Sequence, residues 1–167
     1  MRQAYANAIH SAKDSIILVN PYFMPMPIIK KALEKAIDDS VKVTIILSEK
    51  GDIPMIPDGV WRVGYQLMKR GAEVYYYNDG FHHSKIMMID GLFCTVGTTN
   101  LDARSLRFDY EVNAFIFDRA TTHRLQQIFN NDAEKSSTLL TPEVFKERFP
   151  LRRRIRSRIF TLSKRLL

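Results

Sequence analysis

The 167-residue chain has one cysteine, Cys94, so no internal disulfide can form and a reducing compartment is permitted. Seven glycines and seven prolines are too few for a collagen-like or low-complexity chain. Long apolar runs are also missing. Stretches such as Ile16 to Val19 fall far below the roughly 20 residues that cross a bilayer, and the N-terminus opens on no apolar signal segment. The sequence therefore predicts a piece that neither spans a membrane nor directs its own secretion. With 46% apolar residues and a length close to the roughly 150 residues of one domain, it has enough chain to bury a core.

Acidic residues are absent from positions 151–167, where seven of the 25 lysines and arginines lie. The remaining 18 basic residues match the 18 acidic ones of positions 1–150, so the body is neutral and the terminal segment is basic. We therefore divide the chain into a single domain, 1–150, and a C-terminal segment, 151–167. In that segment Leu151, Ile155, Ile159, Leu162 and Leu166 recur at helical spacing. Such a helix can dock its apolar stripe on the body. It can instead lie on an anionic lipid surface through Arg152, Arg153, Arg154, Arg156 and Arg158, or contact nucleic acid.

Along the body, helical and strand patterns alternate. Ala4 to Lys13 is helix-like, Ser15 to Asn20 reads as a buried strand, and Pro21 to Pro27 breaks it. Ile28 to Asp39 is amphipathic, Val43 to Leu47 is a second strand, and Asp52 to Asp58 is a loop. Val60 to Arg70 is a helix closed by Gly71 and followed by the strand Glu73 to Tyr77. Three strands separated by helices imply crossovers, hence an α/β domain with a mixed, mainly parallel sheet and helices on both faces. Further on, Ser84 to Ile89 and Phe93 to Val96 flank Asp90-Gly91, a hairpin signal. Val112 to Phe117 is a strand and Arg119 to Phe129 a helix. Asn130 to Leu140 is a polar connection, and Thr141 caps a last helix to Phe149.

The chemistry-bearing stretch is H-S-K-I-M-M-I-D, succeeded by G-T-T-N. If the strand continues back through His83, then His83 and Lys85 emerge on one face and Asp90 on the other. An imidazole beside a fixed cation is a poor metal site, because Lys85 repels a divalent ion. It suits attack on a phosphate, whose charge the ammonium neutralises. Gly97-Thr98-Thr99-Asn100 can add backbone N–H groups, the Thr98 hydroxyl and the Asn100 amide as phosphate donors. Tyr22 and Phe23, just past the first strand's C-terminal end, are read as pocket lining. His82 reads as a neighbour of the site, and His10 and His123 as surface or packing residues. On spacing alone Glu111 is an ordinary charge before a strand.

The pattern H-x-K-x4-D-x6-G-[ST]-x-N resembles the HKD motif of the phospholipase D superfamily. At about 5% per fixed position, chance agreement in such a chain is on the order of 10⁻⁵ or lower. The likeness narrows to bacterial cardiolipin synthases. Asn20-Pro21-Tyr22-Phe23-Met24-Pro25 resembles the opening of their second half, and Gly80-Phe81-His82-His83 their approach to the motif. Asn100-Leu101-Asp102-Ala103-Arg104-Ser105 and Tyr110-Glu111 resemble the segments on the motif's C-terminal side. The resemblance covers nearly the whole chain.

It implies phosphatidyl transfer through a phosphohistidine, with no metal or other cofactor, forming cardiolipin from phosphatidylglycerol. His83 would be the nucleophile, Lys85 and Asn100 phosphate ligands, and Glu111 the group that orients the imidazole. Thr98 holds the usual serine position beside Gly97, and Asp90 becomes a structural partner. The two-step chemistry needs a second proton-transfer group, which family members draw from a second HKD motif. A second copy of this chain or the rest of a longer chain would supply it. The basic segment then becomes a peripheral anchor on the cell membrane. The rivals are a homodimeric single-motif endonuclease with DNA on the basic segment, and a non-catalytic half of a larger synthase.

Overall fold

The computed structural model describes residues 1–155 and 157. Arg156, Arg158 and the rest of 158–167, read from the sequence as part of the basic helix, lie outside the described residues. The apolar runs form the centre of the molecule: β1 (Ser15–Val19), β2 (Lys42–Ser48) and β3 (Glu73–Tyr77) run parallel, in the order β1-β2-β3. The intervening helices α2 (Pro27–Asp38) and α3 (Ile56–Arg70) supply the crossovers. On the far side of β1 lie β4 (Ile86–Ile89), β5 (Phe93–Gly97) and β6 (Asn113–Ile116), successively antiparallel. With β7 (Ser137–Leu139) the described residues form one mixed sheet in the order β6-β5-β4-β1-β2-β3-β7. The parallel share is the central trio, and the four remaining pairings are antiparallel.

Alternation along the strands divides the core into two layers. Ile16, Leu18, Val43, Ile45, Leu47 and Val74 face α1 (Arg2–Ser11), α2 and α3. Ile17, Val19, Ile46, Met88 and Cys94 face Leu125, Phe129 and Ala133 of α5 (Arg119–Ser136). Both faces being covered explains why β1 and β2 read as continuous apolar runs. The hairpin is as predicted, with positive φ at Asp90 (53°) and Gly91 (63°) between β4 and β5.

One stretch differs from expectation. Residues 130–140 are polar yet regular. The stripe Leu125-Phe129-Ala133, spaced by four, keeps α5 helical to Ser136, and β7 then joins β3 through backbone bonds indifferent to side-chain polarity. The last described helix, α6 (Pro142–Arg148), is capped by Thr141, whose hydroxyl accepts from Val144 N.

This topology gathers the ends of several elements at one edge of the sheet. β1, β2 and β5 finish there, and β4 and β6 begin there. Residues 20, 48, 83–85, 98–100 and 111 all sit at that edge.

Candidate active site

His83 and Lys85 lie just before β4 and not within the strand itself. Lys85 is 6% exposed and its Nζ donates to the His83 carbonyl at 2.6 Å, whereas the His83 side chain reaches the surface. Burial, and then the Lys85 charge, hold His83 below the ordinary imidazole pKa, with Asp52 opposing them. Burial lowers Lys85 too, against Glu111 and Asp52. The result is a neutral, accessible ring beside a cation sunk in the wall, the state a nucleophile toward phosphorus needs.

Tyr22 forms one side. Its ring meets the His83 ring edge-on, 5.9 Å between centroids at 89°, and Lys85 Nζ lies 5.9 Å from its centre. The Tyr22 hydroxyl donates to Asp52 on the loop between β2 and α3. Its pKa is pushed up to about 12, by burial first and then by Asp52. Phe23 does not share this role. It is 0% exposed and belongs to the core, because the turn after β1 points successive side chains oppositely.

On the other side Thr98 donates its hydroxyl to Glu111 and accepts from Val112 N at 3.0 Å. Among the described residues no hydrogen bond joins Glu111 to His83. In this arrangement the carboxylate engages Thr98, so the expected direct orientation of the imidazole is not what the geometry displays. Asn100 Nδ2 reaches Ser105 Oγ at 3.4 Å, and its Oδ1 is buried without a partner. Its amide thus has bonding capacity left over.

Three of the four backbone N–H groups of G-T-T-N are already engaged within the chain and are not free to cradle a phosphate. Gly97 N donates to Lys85 O, Thr98 N to Val112 O, and Thr99 N to the Asn113 side chain. Gly97 has a packing reason: a Cβ there would stand 2.2 Å from Val112 O and 2.5 Å from the Asn113 side chain. That glycine serves the β5–β6 approach.

Asp90 lies at the opposite end of β4. Its carboxylate accepts from Lys13 N, Asp14 N and Ser15 N at 2.7–2.9 Å, tying the hairpin to the start of β1. Burial pushes its pKa up, but the three N–H groups and Lys13 outweigh that and hold it low. His82 turns into the body: its ring contacts Asp132 Oδ2 at 3.2 Å and stands edge-on to Tyr77. Of the basic segment, Arg153 is drawn inward by Asp58 at 2.6 Å, and Arg154 donates to Phe149 O.

Sequence reasoning missed two residues. Buried Asn20, at the end of β1, accepts from Leu101 N and so braces Asn100. Its signal was a polar residue closing an otherwise apolar strand. Asp52 had none, being an exposed loop acid brought in by a partner 30 residues away. Among the described residues no cluster of three or more His, Cys, Asp or Glu side chains could hold a metal ion, and no helix is long and apolar enough to cross a membrane.

Solved structures place this fold among phospholipase D proteins. A phospholipase D family member, Nuc from Salmonella typhimurium, aligns with a TM-score of 0.73 at 20% identity, over 83% of this chain and 90% of that one. Phosphatidylserine synthase of Haemophilus influenzae aligns at 0.74 and 15% identity, over 98% of this chain and 42% of that one. The chain belongs to the family described as cardiolipin synthase, PLD-like domain, whose model matches residues 5–133. Cardiolipin synthase 1 of Staphylococcus epidermidis is 40% identical over 86% of this chain. The cardiolipin synthase of Oceanobacillus iheyensis is 36% identical over 89% of it. The chain covers 29% and 31% of those two proteins.

Proposed function

We propose that this chain carries one half of a phosphatidyltransferase site and makes cardiolipin from phosphatidylglycerol. His83 attacks the phosphorus, a P–N bond forms, and the P–O bond to glycerol breaks. Glycerol leaves with a proton from a group on a second HKD half. That group then takes the proton of the hydroxyl of a second phosphatidylglycerol, whose oxygen displaces the histidine and restores His83. Lys85 and the Asn100 amide N–H hold the phosphoryl oxygens, while the Thr98 hydroxyl, which donates to Glu111, keeps that carboxylate at the site. Glu111 acts through Thr98 and the charge of Lys85. The single observation that carries this reading is the accessible, neutral His83 ring beside the buried Lys85 ammonium.

The second half comes from another copy of the chain or from the remainder of a longer one, in keeping with the three-tenths share of the relatives' length. The exposed side chains of Phe108, Tyr110 and Val112, on either side of Glu111, offer it an apolar seat. The substrate is lipid, and the unit works from the membrane surface as a peripheral or anchored body. Incubating the chain and its second half with phosphatidylglycerol vesicles, and separately with plasmid DNA, both with chelator, tests the proposal. Cardiolipin is the expected product. Nicked plasmid without cardiolipin would assign the half to a nuclease, and neither product would leave it non-catalytic.

A further inference from the structure

Some cations of the body are ion-paired, such as Arg70 with Asp38, Lys42 with Glu73 and Arg148 with Glu49, and others are scattered without a pair. Along α3 and α6 four cations gather in one groove of about 320 Å³. Arg62, Lys69, Lys146 and Arg154 line it, no carboxylate does, and none of the four has an ion-pair partner among the described residues. Its floor is aromatic. Tyr65 and Phe145 stack at 3.8 Å and 10°, with Lys69 Nζ 6.0 Å from the first ring and Arg154 Cζ 5.0 Å from the second.

Four cations gathered over one apolar floor, with Glu143 near Lys146 but outside the lining, form a locally positive surface that suits an anionic partner. We infer that this α3–α6 groove seats the unit on an anionic phospholipid bilayer. The inference rests on the lipid-transferase reading and moves the membrane contact from the basic segment to the body. Charge complementarity selects an anionic occupant. The floor selects a bilayer over nucleic acid, because its rings are stacked on each other and are not splayed to receive bases, while their apolar edges and the long basic stems suit the headgroup boundary. The groove lies on the helix that comes after the Asp52 loop, so a docked α3 holds that loop, and through Tyr22 the site, near the lipid surface.

The test is co-sedimentation of the full chain with vesicles of phosphatidylglycerol and phosphatidylcholine, with phosphatidylcholine vesicles and plasmid DNA in parallel. Each cation near an anionic surface contributes about fivefold to partitioning. The variant R62Q/K69Q/K146Q should therefore lose about 100-fold in binding to the anionic vesicles, whereas R119Q/R124Q/K135Q on α5, with the same change of charge, should lose only a few-fold at most. Both should melt like the parent. Equal losses in the two variants, no loss in the first, a parent that ignores phosphatidylglycerol, or a loss seen only with plasmid DNA would each overturn the inference. The readout needs no turnover, so failure of the groove and failure of the transfer chemistry are seen separately.

Discussion

The two ends of β4 carry parts of one motif and treat hydrogen bonding in opposite ways. At the Asp90 end every carboxylate bond is made within the chain, to three backbone N–H groups. At the other end, about 16 Å away along the strand, the bonding is left open. His83 is accessible, Asn100 Nδ2 makes only a long bond to Ser105 Oγ, and among the described residues the Lys85 ammonium makes a single hydrogen bond, to a carbonyl. The closed end fixes geometry, and the open end is where the proposed reaction would place the lipid phosphate. Residues of one sequence motif thus divide into architecture and chemistry according to whether their polar atoms are already satisfied.

The sharpest break of this contrast is His83→Ala. Transfer should fall by at least about 10⁴-fold with an unchanged melting temperature, read by product assay and thermal unfolding. Lys85→Ala comes next, with transfer reduced by about 10²- to 10³-fold. It should also shift the pH profile. The nucleophile is the neutral ring, so activity falls as pH drops through the His83 pKa, which lies below the usual value near 6.5. Removing Lys85 removes one of the causes of that depression, and the acidic limb should move to higher pH.

At the closed end, Asp90→Ala should cost about 2 kcal/mol, or roughly 4–8 °C of melting temperature, with transfer per folded molecule retained. The folded pKa of Asp90 is lowered, so its stabilisation is present above the unfolded value of about 3.9 and is lost as pH falls through the folded one. Asp90→Asn should therefore flatten the acid side of the stability profile. The smallest effect is expected for Tyr22→Phe, which frees Asp52 but keeps the ring on His83. We expect a loss below about 1 kcal/mol in stability and a few-fold change in transfer.

Much of this division was legible in the residues. Strand parity set Asp90 apart from His83 and Lys85 in the sequence, and the structure puts it at the opposite end of β4, bonded to the backbone of residues 13–15. The continuous apolar runs foretold strands covered on both faces. The hidden parts are those in which backbone satisfies backbone. Three of the four G-T-T-N backbone donors are taken up by Lys85 O, Val112 O and Asn113, β7 forms from polar residues, and Phe23 turns inward beside the outward Tyr22. Residue types do not reveal which main-chain groups a fold will occupy. Nor could the pairing of Asp52 with Tyr22 be read, since it depends on loop placement.

The most direct test of the account is to stop the reaction in alkali and map the trapped intermediate by mass spectrometry, using phosphatidylglycerol with the chain and its second half. A phosphatidyl group on an imidazole nitrogen of the peptide containing His83 is the expected result. Turnover with the adduct on a different residue, or with no adduct on His83 in either half-reaction, would contradict it.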